Sequence, residues 1–150
     1  MAPLIILLTV FGLLYAVNRI WLKNHINIGV IGRVAMACML VATGIAHFTQ
    51  TDAMVAMMPA ELPAKRELVY FTGVCELLAV IGLLSERTAR LTSVMLIIFF
   101  IAVLPANIIG SMKQVQMGGM EYGTWYLLFR IPLQIFFIWW AWRFGVRKAH

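Results

Sequence analysis

The sequence contains very little charge. Asp, Glu, Lys and Arg make up 12% of its 150 residues, whereas they reach about 25% in soluble domains. Apolar residues make up 63%, and the mean hydropathy is +0.91. This composition excludes a water-soluble fold, because there are too few polar side chains to cover its surface. A spanning helix needs about 20 residues, so the chain can form a bundle of spans but no additional soluble domain.

Cysteine is also scarce. Cys38 and Cys75 are the only two, and both lie inside apolar stretches. Without a CxxC motif, the sequence supports neither a disulfide scaffold nor a thioredoxin-type redox pair, and we expect both residues to pack as small buried hydrophobic side chains. The twelve Lys and Arg residues form no basic run or stripe, which argues against nucleic acid as a partner.

Five apolar segments predict an all-α membrane protein, a transmembrane helix bundle of five spans in contact with the lipid bilayer. They are residues 2–22, 28–48, 68–84, 91–109 and 123–142. The first segment lacks a basic region before it and an A-x-A-like cleavage site after it, so we expect a retained helix rather than a signal peptide. Asn18 and Arg19 lie near its end, at positions from which a long side chain can extend to the membrane interface beside Trp21.

The distribution of basic residues predicts the orientation. With the N-terminus outside, eight basic residues fall on the inner side and three on the outer side. The inner group is Arg19, Lys23, Arg33, Arg87, Arg90, Arg143, Arg147 and Lys148, and the outer group is Lys65, Arg66 and Lys113. Because inner loops carry the excess of Lys and Arg, we predict a multi-pass protein of the bacterial cytoplasmic (inner) membrane with its N-terminus outside and its C-terminus inside.

The longest link, residues 49–67, has internal structure of its own. Met54, Met57 and Met58 follow roughly helical spacing before Pro59, which predicts a short interfacial helix over the outer mouth of the bundle. Thioethers beside His47 would suit a soft metal such as Cu(I). Packing of flexible apolar side chains explains the methionines more simply, so we predict no metal site.

Five polar side chains lie inside the predicted spans: His47, Glu76, Asn107, Arg130 and Gln134. A charged group near the bilayer centre costs at least about 3 kcal/mol on insertion scales, so each should face the bundle interior and have a partner. The topology places all five in the outer half. Since Glu76 and Arg130 fall at similar depth, about 10 to 12 Å below the outer boundary, we predict an intramembrane ion pair between them.

Helix periodicity adds neighbours to these polar residues. Gly123, Tyr126, Arg130, Gln134 and Phe137 share one helix face, and Thr72, Gly73 and Glu76 share another. Two interpretations of the cluster follow. It either locks helices together through a satisfied buried pair, or it forms the polar end of a pocket for an amphipathic ligand such as a quinone.

The same residues carry a family resemblance. Five ordered motifs resemble the pattern of DoxX-like integral membrane proteins: GIAHF at residues 44–48, MP at 58–59 with LP at 62–63, TGVCE at 72–76, PANI at 105–108 and RIPLQ at 130–134. The resemblance covers roughly residues 28–142. It implies a four-helix domain over residues 28–150, with residues 1–27 as an additional N-terminal transmembrane helix and link.

The resemblance implies one of two functions. The first is a link to oxidoreductase systems, including quinone-coupled ones, and the second is a chaperone role. We expect a membrane subunit that binds a quinone or similar hydrophobic molecule through His47, Glu76, Asn107, Arg130 and Gln134. His47 or Glu76 would be the catalytic candidates that handle protons, and Arg130 would orient a carbonyl oxygen. The sequence has no haem, flavin or iron–sulfur motif, so electron transfer would need a redox partner protein. The alternative is a non-catalytic membrane chaperone or assembly factor.

Overall fold

The computed structural model describes residues 2–59, 62–115, 122–123 and 125–147, and all regular structure in these ranges is helical. The helices are α1 (Ala2–Ile20), α2 (Ile28–Thr49), α3 (Thr51–Met57), α4 (Lys65–Leu84), α5 (Ala89–Met112) and α6 (Trp125–Ala141), followed by a π-helical segment, Trp142–Val146. Some residues lie outside the described ranges: parts of the link 49–67, part of the segment 110–122 between the fourth and fifth predicted spans, residue 124 of the fifth predicted span, and Lys148 of the inner basic group.

Four helices in the described part of the chain are long and apolar enough to cross a membrane. They are α1, α2, α4 and α5, with 19, 22, 20 and 24 residues. The all-α class is therefore confirmed, and the first four predicted segments are helices of spanning length. The helix α6 has 17 residues, or about 26 Å at 1.5 Å per residue, and the π-helical segment continues it without a break.

The start of α2 and the end of α3 lie at residues that are typical of helix termini. The side chain of Asn27 caps α2 by accepting a hydrogen bond of 2.7 Å from the Gly29 amide. The methionine spacing predicted a short helix in the link 49–67, and the helix is present as α3. It stops at Met58, whose backbone is extended, because the following Pro59 disfavours a helical conformation in the residue before it.

The helices run up and down. The N-terminal halves of α1, α4 and α6 and the C-terminal halves of α2 and α5 surround one cavity, and we call this end of the bundle the cavity end. At the opposite end, the Trp140 indole donates a hydrogen bond of 3.0 Å to the Gly32 carbonyl, and the Phe144 ring lies against Gly32. Because Gly32 has no side chain, the π-helical segment can pack against the start of α2.

The outer surface of the bundle is apolar. On α4, large side chains are exposed one turn apart, with Leu78 at 60% and Ile81 at 68% exposure. Large apolar side chains are also exposed on α5 and α6, including Ile98, Leu128 and Ile135. Such faces are costly in water and fit contact with hydrocarbon.

Two residues have surroundings that the sequence did not predict. Asn18 is buried, and its side chain donates to the Ile26 carbonyl (2.8 Å) and accepts from the Ile26 amide (3.0 Å). Its short amide matches a backbone peptide group and so closes the connection between α1 and α2. Cys38 is exposed on the outer surface rather than buried, while Cys75 is half-buried, and both are free thiols.

Candidate functional site

The cavity has a volume of about 510 Å³ and is lined by all five polar residues singled out in the sequence: His47, Glu76, Asn107, Arg130 and Gln134. Its remaining walls are mostly apolar, with Met39, Phe99, Phe100, Val103 and Phe137 among them. Its size falls within the range of roughly 300 to 1,000 Å³ of small-molecule sites, and a few polar groups in an apolar wall are typical of such sites.

One wall of the cavity carries an interhelical pair between α2 and α4. His47 Nε2 lies 3.5 Å from Glu76 Oε1, and the Glu76 side chain is buried while the His47 side chain is half-buried. His47 Nδ1 lies 3.1 Å from the Val69 carbonyl and 3.1 Å from Thr72 Oγ1. The carbonyl can only accept, so a hydrogen bond from Nδ1 to Val69 requires a proton on Nδ1.

With a proton on Nδ1, the His47–Glu76 pair can share a second proton in two forms. A neutral imidazole protonated at Nδ1 presents a bare Nε2, which can accept a proton from the carboxyl group; a charged imidazole presents N–H to a carboxylate. In both forms, a proton shared between Nε2 and Oε1 leaves Oε2 as a hydrogen-bond acceptor.

The facing wall is built from α5 and α6. Arg130 Nη2 donates to Asn107 Oδ1 over 3.2 Å, and Asn107 Nδ2 donates to the Val103 carbonyl over 3.1 Å. One turn deeper, Gln134 Nε2 donates to the Phe100 carbonyl over 2.6 Å. These bonds fix the amide groups and leave the guanidinium at the cavity surface.

The predicted ion pair between Glu76 and Arg130 was wrong as a direct contact. Glu76 pairs with His47, and the hydrogen bond found for the Arg130 guanidinium in the described part of the chain goes to Asn107. The reason is helix pairing: Gly73 allows the His47 side chain to approach α4 closely, which brings His47 to Glu76. Similar depth on two helices was therefore not sufficient for contact, although both residues line the same cavity.

Two buried polar atoms of the cavity residues have no hydrogen-bond partner among the described residues. They are Glu76 Oε2, an acceptor, and Arg130 Nε, a donor. A third such atom, Ser93 Oγ, lies against Gly145 at the opposite end. A buried unpaired polar group costs about 1 to 3 kcal/mol, and more when charged, so two of opposite character at one cavity indicate a site for a polar ligand group or water.

The short helix α3 lies across the cavity end, where Met54, Met57 and Met58 line the cavity. Lys113 Nζ donates to the Met58 carbonyl over 2.9 Å, and Arg66 on α4 pairs with Asp52 on α3. Both ring nitrogens of His47 already have protein partners, which favours apolar packing over a soft-metal role for these methionines.

Some lining residues follow from the predicted helix faces, and others do not. Thr72 and Tyr126 lie on faces that the sequence analysis associated with Glu76 and Arg130, and both line the cavity. The tip of α1 was missed: Ala2, Pro3 and Ile6 also line the cavity. Apolar residues of this kind have no sequence signal that distinguishes a cavity wall from a lipid-facing surface.

No curated protein and no solved structure matches the chain. A family model does match, over residues 36–145, which begin within α2 and extend into the π-helical segment. The matched residues include all five polar residues of the cavity, and they leave out α1. On this match the chain belongs to the family described as a domain of unknown function (DUF8561).

Proposed function

We propose that the chain is a five-span protein of the bacterial inner membrane with its cavity end outside. The helix α6 and the π-helical segment together form 22 continuous residues, Trp125–Ala141 and Trp142–Val146, which would complete a fifth span. Lys65, Arg66 and Lys113 belong to the cavity end, whereas the members of the larger basic group that the structure describes belong to the opposite end. The positive-inside rule then assigns the cavity to the outer side.

The function we propose is binding of a quinone, with its head group in the cavity between Glu76 and Arg130. The observation that carries this proposal is the pair of unpartnered atoms, one acceptor and one donor. A hydroquinone satisfies both, because one hydroxyl donates to Glu76 Oε2 while an oxygen of the ring accepts from Arg130 Nε. The apolar wall matches the rest of the ring.

The arrangement also supports a role in oxidoreduction. Oxidation of a bound hydroquinone releases two protons and two electrons. Glu76 Oε2 would accept the proton of the hydroxyl that it binds, His47 would stabilise the resulting charge on the Glu76–His47 pair, and the second proton would pass to water at the cavity end. The electrons would leave to a separate redox partner protein, since the sequence offers no cysteine-ligated cluster. This role agrees with what the DoxX-like resemblance implies.

Lipid extraction followed by mass spectrometry of the purified protein tests the proposal. We expect a quinone at close to one molecule per chain in the wild type and its loss in Arg130→Gln. Arg87→Gln, at an exposed arginine at the opposite end of the bundle, should retain it and serves as the matched control. A membrane protein that copurifies with the chain in the absence of any quinone would instead support the chaperone alternative.

A further inference from the structure

A second, smaller cavity lies between α4 and α5. It has a volume of about 270 Å³ and forms a groove on the side of the bundle. Its walls come from Cys75, Leu78 and Ala79 on α4 and from Leu91, Thr92 and Met95 on α5. At Gly82 the two helices come together, since a side chain there would collide with Thr92. We call this feature the α4–α5 groove.

The α4–α5 groove adjoins the main cavity. Glu76 and Phe99 line both of them, so the groove begins at the carboxyl group proposed to hold the ligand head. From Phe99 to Leu91 it follows α5 for eight residues, which at 1.5 Å per residue is about 12 Å. It therefore runs away from the cavity end, along the direction of the helices.

The groove is apolar and open sideways. Leu78, Leu91 and Met95 are 60%, 61% and 55% exposed, so a molecule in the groove would contact both the protein and the surrounding lipid. Apart from Glu76, at the end nearest the main cavity, no charged side chain lines the groove among the residues that the structure describes. A hydrocarbon chain matches this environment along its whole length, whereas a polar group would lose its hydrogen bonds there.

We infer that the α4–α5 groove holds the hydrocarbon tail of the same molecule whose head group lies in the main cavity. This inference depends on the proposed function and narrows its ligand class. The ligand is an amphiphile whose tail leaves the head beside Glu76, passes Phe99 and extends for at least about 12 Å toward Leu91. A compact ligand without a tail would leave the groove unused.

Photoaffinity labelling of the full-length protein in nanodiscs tests this directly. The probe is a hydroquinone, kept reduced, with a ten-carbon tail that ends in a diazirine. We expect crosslinks to residues of the α4–α5 groove, mainly Leu78, Leu91 and Met95, and loss of these crosslinks when excess tailless trimethylhydroquinone occupies the head site. Crosslinks that persist under this competition would come from an ordinary lipid-facing surface and would overturn the inference.

A pair of matched variants gives a second measurement. Ala79→Phe fills the groove, whereas Ala102→Phe places the same ring at an exposed position of α5 that lines neither cavity. We expect Ala79→Phe to abolish the advantage in affinity of the tailed over the tailless hydroquinone, and Ala102→Phe to preserve it. An unchanged advantage in a folded Ala79→Phe protein would contradict the groove as the tail site.

The two proposals fail in different ways. If tailless trimethylhydroquinone binds and depends on Arg130, but the tailed probe labels other helices, the head site stands and the tail assignment is wrong. If neither hydroquinone shows saturable binding, the proposed function fails and the tail assignment fails with it.

Discussion

His47 and Glu76 form an interhelical pair, with Nε2 of the imidazole 3.5 Å from Oε1 of the carboxyl group. The pair joins the last turn of α2 to the middle of α4. Its formation depends on Gly73, because a side chain at that position would lie 2.7 Å from the His47 Cβ atom. The pair leaves Glu76 Oε2 unpartnered within the described residues, and this atom is central to the account of the site.

The first prediction concerns the stability of this pair. His47→Leu and Glu76→Leu should each lower the thermal stability of the protein in detergent, because each leaves a buried polar partner behind. Breaking a buried pair typically costs about 3 to 5 kcal/mol, while replacing both partners with apolar residues is often close to neutral. The double variant should therefore lose less stability than the sum of the two single losses, by roughly 0.5 to 3 kcal/mol.

Glu67→Leu is the control for this cycle, since Glu67 is exposed in the first turn of the same helix. It should change the stability little. Strictly additive losses for His47 and Glu76 would show that the two side chains do not interact.

The second prediction compares two glycines. A Cβ atom at Gly32 would collide with the Phe144 ring, whereas Gly12 has open space around it. Gly32→Ala should destabilise the protein by about 1 to 3 kcal/mol, as expected for overpacking. Gly12→Ala should be neutral or stabilising by up to about 1 kcal/mol, because alanine favours the helix.

Thermal unfolding of the two glycine variants in the same detergent gives the comparison. Adding Phe144→Ala to Gly32→Ala should recover part of the loss if the clash is its cause. Equal melting temperatures for Gly32→Ala and the wild type would show that the end of the chain does not pack on α2.

The sequence predicts local features of this structure better than it predicts contacts between helices. Apolar run length predicted the helices, and methionine spacing predicted α3, because both are local properties of the chain. The convergence of five polar residues on one cavity followed from helix direction and depth. Which of these residues pair with each other could not be predicted in this way. The pairing depends on helix rotation and on the close approach at Gly73, and periodicity alone fixes neither.

The α4–α5 groove shows a further limit. Leu78, Leu91 and Met95 are indistinguishable in sequence from any lipid-facing residues, and a groove arises from the separation of two helices rather than from residue type. Asn18 illustrates the same point for a polar residue, because its partner is a backbone group eight positions away that no side-chain pattern reveals.

The third prediction concerns orientation. In a background with Cys38→Ala and Cys75→Ala, a cysteine from Asp52→Cys should react with an impermeant maleimide added to intact cells, because Asp52 lies exposed at the cavity end. A cysteine from Ser85→Cys, at the opposite end after α4, should react only after the cells are permeabilised. Labelling of Ser85→Cys alone in intact cells would reverse the orientation and place the cavity on the cytoplasmic side.

The fourth prediction concerns Arg130. Arg130→Lys retains the positive charge but lacks the Nε donor and the planar fork of the guanidinium. A hydrogen bond to a charged group contributes about 1.5 to 3 kcal/mol, so hydroquinone affinity should fall roughly 10- to 100-fold. Arg87→Lys, the matched exposed control, should bind as the wild type does.

The most direct measurement of the head site compares the binding of trimethylhydroquinone and of its dimethyl ether to the wild-type protein by calorimetry in detergent. The two molecules have nearly the same ring, but only the hydroquinone can donate a hydrogen bond to Glu76 Oε2. The account predicts saturable binding of the hydroquinone at one molecule per chain and binding of the ether that is weaker by at least about 10-fold. Equal affinity for both, or binding of neither, would contradict it.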